Sequence, residues 1–298
     1  MSVKILSQTA DQLRGKTIHF VNLRQMSEDI KAWSSELPDD LVAVAGIPRS
    51  GILPAAQLAL HRNIHLITLD DLKAGKQPWR SELRRGVPAK QDGCVLIVDD
   101  SIDSGDTLHE TWKELRASGD FLYGALYFKD EKHASMADFT YKSVPAPRCF
   151  EWNLFHCQQM SYACVDLDGV ICDDWIDREA DDGPGLVRYL DHVQHAKPKF
   201  LPKSFPVRAI VTARLEKYRR QTEDWLDRHG VQYNELIMSP HASASQRRAA
   251  RDNVRHKANA YMRYEDARLF IESDLGQARD IAAETGRPVL CVQTMEVY

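Results

Sequence analysis

The sequence predicts an α/β architecture of two doubly wound parallel-sheet domains. Three observations predict it. Short apolar runs, too apolar to leave one face wet, end in small or acidic residues and lead into stretches of helical periodicity, the pattern of parallel strands joined by crossover helices. That rhythm begins at residue 41, and a second series begins at residue 162. The chain has 298 residues, close to the length (roughly 250 to 300 residues) at which single cores stop growing and chains divide.

In the first half the clearest strands are predicted over residues 41–45, 94–98 and 123–127. Helices follow the first two, over 54–60 starting at Pro54, and over 107–117 stopping near Gly119. In the second half strands are predicted over 162–165, 207–211, 269–271 and 289–292. A polar-faced amphipathic helix is predicted over 215–229, with Gly230 placed to cap it. Between the two series lie a proline-punctuated stretch, 144–147, and an aromatic cluster over 148–156. They place the boundary near residue 158, giving domains 1–158 and 159–298 without a long flexible linker.

Composition narrows the function. Hydrophobic residues make up 43% of the chain and charged residues 28%, within the globular range. A net charge of −4 and a pI near 6.3 provide no global field for nucleic acid or an acidic membrane, so the expected partners are small molecules whose charges are met locally. The six cysteines form no C-x-x-C pair and several sit in apolar runs, which reads as reduced core thiols. No apolar h-region opens the chain, and no stretch approaches the ~18 apolar residues of a membrane span. A cytoplasmic protein is expected, and a homodimer is open.

Residues 95–108, VLIVDDSIDSGDTL, run from a buried strand through two carboxylates into a small-residue loop that opens a helix. Asp99 and Asp100, at the strand's carboxyl end, can accept hydrogen bonds from vicinal ribose hydroxyls. The loop 103–107 offers backbone N–H groups, the hydroxyls of Ser104 and Thr107, and the positive end of the next helix, which together suit a phosphate. A second loop, 46–51, also follows a strand and precedes a helix; there Arg49 can bind an anionic oxygen and the glycines permit close backbone approach. The segment 95–108 resembles the phosphoribosyl-pyrophosphate (PRPP) motif of type I phosphoribosyltransferases almost residue for residue, and 46–51 resembles the pyrophosphate loop of that family. The resemblance spans roughly residues 37–155.

It implies a type I phosphoribosyltransferase fold, with PRPP bound by Arg49, Ser50, Gly51, Asp99, Asp100, Ser104, Gly105, Asp106 and Thr107. Magnesium would bridge the pyrophosphate and the ribose hydroxyls. The implied reaction is displacement of pyrophosphate from ribose C1 by a nitrogen of a nucleobase, with Asp103 handling the proton. The basic stretch 73–93 corresponds to the family's mobile catalytic loop, and Lys73, Lys76, Arg80, Arg84 and Arg85 are its candidates to reach pyrophosphate. Lys129 falls where 6-oxopurine enzymes place a lysine on the purine oxygen, and Phe150 or Trp152 can supply a stacking face, so a purine-like base is expected. The same aromatic residues also suit a domain-junction core. The first 36 residues carry no legible motif and would contribute a hood-like element.

Residues 165–170, VDLDGV, place two aspartates two residues apart directly after an apolar strand. Like charges so close are tolerated where they meet a cation or do chemistry. The segment resembles motif I of haloacid dehalogenase (HAD)-like phosphatases, which implies a HAD-like Rossmannoid fold in which Asp166 attacks phosphorus. Asp168 would protonate the leaving alkoxide and then activate water. The remaining motifs follow in order. Thr212, within AIVTAR (209–214), would hold the transferring phosphoryl group, and Lys257 would neutralise nucleophile and phosphate, with Arg255 or Lys217 as substitutes. Asp274, with Glu272 as a further candidate, would join Asp166 and Asp168 in binding magnesium. The interval from Asp173 to Pro206 holds no clear large module, so a small cap or none is expected, and the basic run 247–251 reads as a solvated helix face.

The two resemblances together imply a bifunctional enzyme that transfers phosphoribosyl from PRPP to a nucleobase and hydrolyses a phosphomonoester, the nucleotide product being one candidate. The alternative is a PRPP-sensing domain that controls a phosphatase.

Overall fold

The apolar runs of the chain form parallel sheets. The structure, a computed structural model, describes residues 18–81, 83, 92–175 and 185–298. In chain order the strands are β1 (His19–Val21), β2 (Leu41–Gly46), β3 (His65–Ile67), β4 (Cys94–Ile102), β5 (Leu122–Phe128), β6 (Phe139–Ser143) and β7 (Arg148–Phe150). They continue with β8 (Ala163–Val165), β9 (Ala209–Leu215), β10 (Leu236–Ser239), β11 (Leu269–Glu272), β12 (Val289–Cys291) and β13 (Glu296–Val297). The chain divides into a unit spanning Val21–Ala146 and a second that combines the chain before Val21 with Pro147–Tyr298.

In the first unit the sheet order is β3-β2-β4-β5-β6, and every pairing is parallel. Side chains alternate between faces, so both faces must be covered. Val42, Val95, Ile97 and Ala125 pack with Leu108 and Leu115 of the helix Asp106–Leu115 on one face. On the other, Trp33 of the helix Leu23–Ser34 lies against Gly124, where a β-carbon would meet its indole at 3.1 Å. The helix predicted from Pro54 starts earlier, at Ile52. Proline is tolerated inside its first turn because the first four N–H groups of a helix have no intrahelical partner.

The second unit has a six-stranded sheet, β10-β9-β8-β11-β12-β13, parallel except for β13 on β12, and a separate β1-β7 pair. Val165, Ile210, Ile271 and Leu290 join Trp225 and Leu226 on one face. Cys164, Val211, Phe270 and Val289 join Tyr261, Ala278 and Ile281 on the other. Cys149, Leu154 and Phe155, from the aromatic stretch 148–156, share the first of these cores. The strand predicted over 207–211 lies over Ala209–Leu215 instead, and the helix predicted from residue 215 starts at Arg219 after the 3-10 turn Glu216–Tyr218. Leu215 and Tyr218 are drawn into a small core with Tyr189 and Val193, a tertiary contact that helical periodicity does not register. No helix among the described residues is long and apolar enough to cross a membrane.

One buried polar cluster holds the first unit. Asp29, 5% exposed, accepts from the Tyr127 hydroxyl at 2.8 Å and from Lys142 Nζ at 3.1 Å. Tyr127→Phe removes one donor from a buried carboxylate and is expected to cost about 1.5–3 kcal/mol in chemical denaturation.

Candidate functional sites at the strand tips

In the first unit β4 does not stop where its apolar run stops. Asp99 still pairs in register with Ala125, and Ser101 with Tyr127. The strand therefore carries the acid pair rigidly. Ser50 Oγ donates to Asp100 Oδ1 at 2.8 Å, which ties the loop after β2 to the acid pair. The Ile47 N–H donates to the Val98 carbonyl at 2.8 Å. Gly51 sits so close to β4 that a β-carbon would lie 2.5 Å from the Val98 oxygen, so no larger residue fits. Arg49, after a cis peptide with Pro48, is exposed beside them.

Asp99 Oδ1 accepts from the Asp100 N–H at 2.9 Å. Burial, and then the charge of Asp100 beside it, push the Asp99 carboxyl up to about 8. At neutral pH it holds a proton and can donate as well as accept. Past the acids, the Asp106 N–H donates to Ser104 Oγ at 3.3 Å as the helix Asp106–Leu115 begins. Asp99, Ser101, Asp103, Ser104, Gly105 and Thr107 line a cavity of about 90 Å³. Lys129, just after β5, places Nζ 3.6 Å from Asp103 Oδ1, so two residues proposed for base chemistry meet. Trp152 belongs to the other unit, where it stacks on Phe150 at 4.8 Å. Of the basic candidates, Lys73 pairs with Glu114 at 2.6 Å and Lys76 with Asp71 at 3.1 Å. Arg80 is exposed and ends a 3-10 turn, Pro78–Arg80, in which Trp79 is buried. Arg84 and Arg85 lie outside the described residues, as do residues 1–17 of the amino-terminal stretch read as a hood.

In the second unit Asp166 follows β8 directly. Lys257, 2% exposed, reaches Asp166 Oδ2 at 2.9 Å, Glu272 Oε2 at 2.6 Å and Gln277 Oε1 at 3.1 Å. Burial alone would lower the Lys257 pKa, but the two carboxylates outweigh it and raise it, so the ammonium stays charged. Burial pushes Asp166 well above the usual carboxylate range despite the pull of Lys257, with Glu272 adding to the rise. Glu272 is fully buried and also accepts from the N–H groups of Ser273 (2.9 Å) and Asp274 (3.2 Å). Asp274 Oδ1 accepts from the Gln277 N–H at 2.8 Å, capping the helix Leu275–Thr285. Gly169 has φ 83°, and a β-carbon there would meet Ser273 Oγ at 2.4 Å, which requires the glycine after Asp168.

Asp168 is held differently. Arg214 Nη2 donates to its Oδ1 at 2.6 Å and Nε to its Oδ2 at 2.9 Å, while His192 Nε2 lies 3.3 Å from Oδ1. Burial opposes the charged form, but Arg214 and His192 outweigh it and hold Asp168 below the usual carboxylate range. Arg214 is 1% exposed. Thr212 is buried, and its hydroxyl accepts from the Arg214 N–H at 3.1 Å. Asp166, Asp168, Thr212, Arg214, Lys257 and Asp274 line one cavity of about 230 Å³, together with Asp174, Trp175, Arg247 and Asn253.

The motif reading located Asp166, Asp168, Thr212, Lys257 and Asp274, and they converge on this cavity. It did not find Arg214. Its signal was a cation at the end of the strand that carries Thr212, which becomes specific only when the partner across the sheet is seen. Asp174 and Trp175 follow the Asp-x-Asp-Gly segment without any pattern of their own. The basic run 247–251 was expected to be a solvated face, and for Arg247 this is corrected: its Nη1 donates to the Ala213 carbonyl at 2.6 Å, and it lines the cavity because its helix, Ala244–Ala250, packs near the end of β9. Arg248 and Arg251 are exposed. Lys217 and Arg255, named as substitutes for Lys257, do not line the cavity.

A parallel sheet whose central strand ends in an acid pair and a small-residue, helix-opening loop is an architecture for sugar phosphates. Residues 20–156 match the family described as phosphoribosyl transferase domain. No curated protein matches the chain. Among solved structures, the chain is similar to a purine phosphoribosyltransferase from Pyrococcus horikoshii, at 20% identity over 46% of this chain and 94% of that one, with a TM-score of 0.34. It is similar to the xanthine-guanine-hypoxanthine phosphoribosyltransferase of Helicobacter pylori at 18% identity, over 46% of this chain and 92% of that one, with a TM-score of 0.33. A structure of the Pnkp1/Rnl/Hen1 complex matches 93% of this chain and 95% of its own at 13% identity, with a TM-score of 0.30.

Two outcomes follow from the buried charges. Asp99 has a folded-state pKa of about 8, against about 3.9 for an unfolded aspartate. Between those values the folded chain keeps a proton that the unfolded chain has lost, so the group's contribution to stability falls as pH rises through that window. Asp99→Asn, which cannot ionise, is expected to raise the melting temperature relative to the parent, and by more at pH 8.5 than at pH 5.5. Lys257→Met leaves Asp166 and Glu272 buried without their cation and is expected to cost about 3–5 kcal/mol by denaturant titration.

Proposed function

We propose that the chain is a bifunctional enzyme. In this reading the first unit transfers phosphoribosyl from PRPP to a purine-like nucleobase, and the second is a HAD-like phosphatase with a small cap or none. The observation that carries the second half is the placement of Asp166 at a strand tip, salt-bridged to buried Lys257 and sharing one cavity with Asp168, Thr212 and Asp274. A carboxyl so placed can act as a nucleophile when it ionises, with the Lys257 ammonium beside it to meet the charge.

For phosphoribosyl transfer, Asp99 and Asp100 would take the ribose hydroxyls, and the loop from Ser104 to Thr107 with the helix end behind it would take the 5′-phosphate. Ser50, Gly51 and Arg49 would receive the pyrophosphate. Asp103 would accept the proton of the attacking base nitrogen, and Lys129, 3.6 Å from it, would donate to an exocyclic oxygen of the base.

For phosphate release, Asp166 would attack phosphorus and form an aspartyl-phosphate. Thr212 and Lys257 would hold the phosphoryl oxygens. The arriving phosphate offers Arg214 a second anion, and loosening Arg214 from Asp168 would let the Asp168 carboxyl rise towards a range where it can carry a proton to the leaving alkoxide. Asp168 would then take a proton from the water that cleaves the intermediate. The buried Trp175 indole N–H has no hydrogen-bond partner among the described residues and can donate to substrate.

Magnesium fits by charge: four aspartates (Asp166, Asp168, Asp174 and Asp274) line the cavity against Lys257, Arg214 and Arg247. Both oxygens of Asp168 face Arg214, and no group of three or more His, Cys, Asp or Glu side chains among the described residues is spaced to hold an ion. Asp166 and Asp274 are the carboxylates that would hold it, while Asp168, expected as a third, has both oxygens taken up by Arg214. When bound, magnesium supplies charge neutralisation for the phosphoryl group here and for the pyrophosphate leaving group in the first unit.

Incubating the chain with PRPP, magnesium and a panel of bases is expected to release pyrophosphate with a purine-like base and to yield nucleoside. Asp166→Asn is expected to stop at the nucleotide, with phosphate release reduced at least about 10³-fold. If nucleotide alone accumulates in both proteins, the second activity acts on something else. If pyrophosphate is never released while PRPP still changes a phosphatase rate, the first unit senses PRPP and does not use it.

A further inference from the structure

We infer that Cys149 and Cys157 form a redox-active dithiol site that closes to an intramolecular disulfide by exchange with a small-molecule disulfide. Their Sγ atoms lie 3.3 Å apart. Cys149 is the middle residue of β7 and is 1% exposed, within the core that contains Leu154 and Met160. Cys157 is half-buried, at the junction of two 3-10 turns, Glu151–His156 and Gln158–Tyr162. The other four cysteines make different contacts: Cys94 Sγ lies 3.2 Å from Asp40, Cys172 is beside Leu167 and Asp168, Cys291 is 3.5 Å from the Ser273 carbonyl, and Cys164 is buried in the opposite core. Among the described residues no second pair of sulfurs is this close.

The two thiols are not equivalent. The hydrogen bond between the two sulfurs lowers the Cys157 pKa, and the N–H groups of Gln159 and Met160 at the start of the second turn lower it further, against burial. The same bond, and then burial, raise Cys149. As a thiol, Cys157 can instead donate to the Leu154 carbonyl at 3.2 Å. The arrangement is a more exposed sulfur with thiolate character backed by a buried protonated one, the division between an attacking and a resolving cysteine.

The chemistry balances with an organic disulfide, RSSR, as oxidant. The Cys157 thiolate attacks one sulfur, a Cys157–S–S–R bond forms, and RS⁻ leaves. Cys149 then gives up its proton and attacks the Cys157 sulfur, the bond to SR breaks, and the second thiol leaves. The two cysteines lose two electrons, and RSSR is reduced to two RSH. Closure needs the sulfurs to move from 3.3 Å to a bond length of about 2.05 Å, and the ring encloses the stacked pair Phe150 and Trp152.

The full chain, incubated with oxidised glutathione under native conditions, alkylated after denaturation and mapped by mass spectrometry, tests this. The expected result is the loss of two of six alkylation sites and of two hydrogens in intact mass, with one cross-linked species joining the peptides that contain Cys149 and Cys157. Cys149→Ala is expected to halt at a glutathione adduct on Cys157, and Cys157→Ser to prevent both adduct and cross-link at this site. The wild-type peptide map decides the matter even if a variant folds poorly. Six alkylated cysteines, a glutathione adduct on Cys157 that persists in the parent, or a cross-link between other cysteines overturns the inference.

Discussion

Carboxylates at the carboxyl ends of parallel strands have to be compensated before either unit can fold around them. An uncompensated charge buried at a strand tip costs several kcal/mol, and a sheet tip offers little water to relieve it. The chain answers in three ways. Lys257 bridges Asp166 and Glu272, Arg214 clamps both oxygens of Asp168, and Asp99 keeps a proton beside Asp100. Each answer leaves a poised group next to a cavity, because the compensation is partial and a ligand can complete or replace it.

The compensating groups come from distant sequence. Lys257 reaches from the helix Asn253–Met262 to strand tips on β8 and β11, and Arg214 reaches from β9 to the segment after β8. Parallel strands with crossover connections make this possible, since every strand ends on the same edge of the sheet and the segments after them gather there. Glycine at 51 and at 169 lets the backbone come close enough for those segments to share one site. In the second unit the packing on both faces, with Trp225 on one side and Tyr261 on the other, keeps that edge rigid while the loops that follow it carry the chemistry.

Much of this was legible in the residue order. Strand identity at β2, β4, β5, β8, β11 and β12 could be read because a strand buried on both faces is a continuous apolar run. Asp99, Asp100, Asp166, Asp168 and Asp274 could be read because acids directly after such runs are rare unless they have a use. The end of β9 could not. Leu215 and Tyr218 look helical in periodicity and are claimed by Tyr189 and Val193, which lie in a segment with no pattern tying it to them. Arg247 read as a solvated charge and Arg214 drew no reading of its own, since an arginine's burial depends on a partner that neither composition nor spacing names.

The residue order by itself determined that two parallel α/β sheets form and which strand ends carry acids, because apolar runs and the residues that terminate them are local properties of the chain. Only the tertiary structure decided which cation meets which acid, which acid keeps its proton, and which two of six cysteines come within 3.3 Å. Those are properties of distance between residues far apart in the chain, or of depth beneath the surface, and neither exists until the sheets have closed.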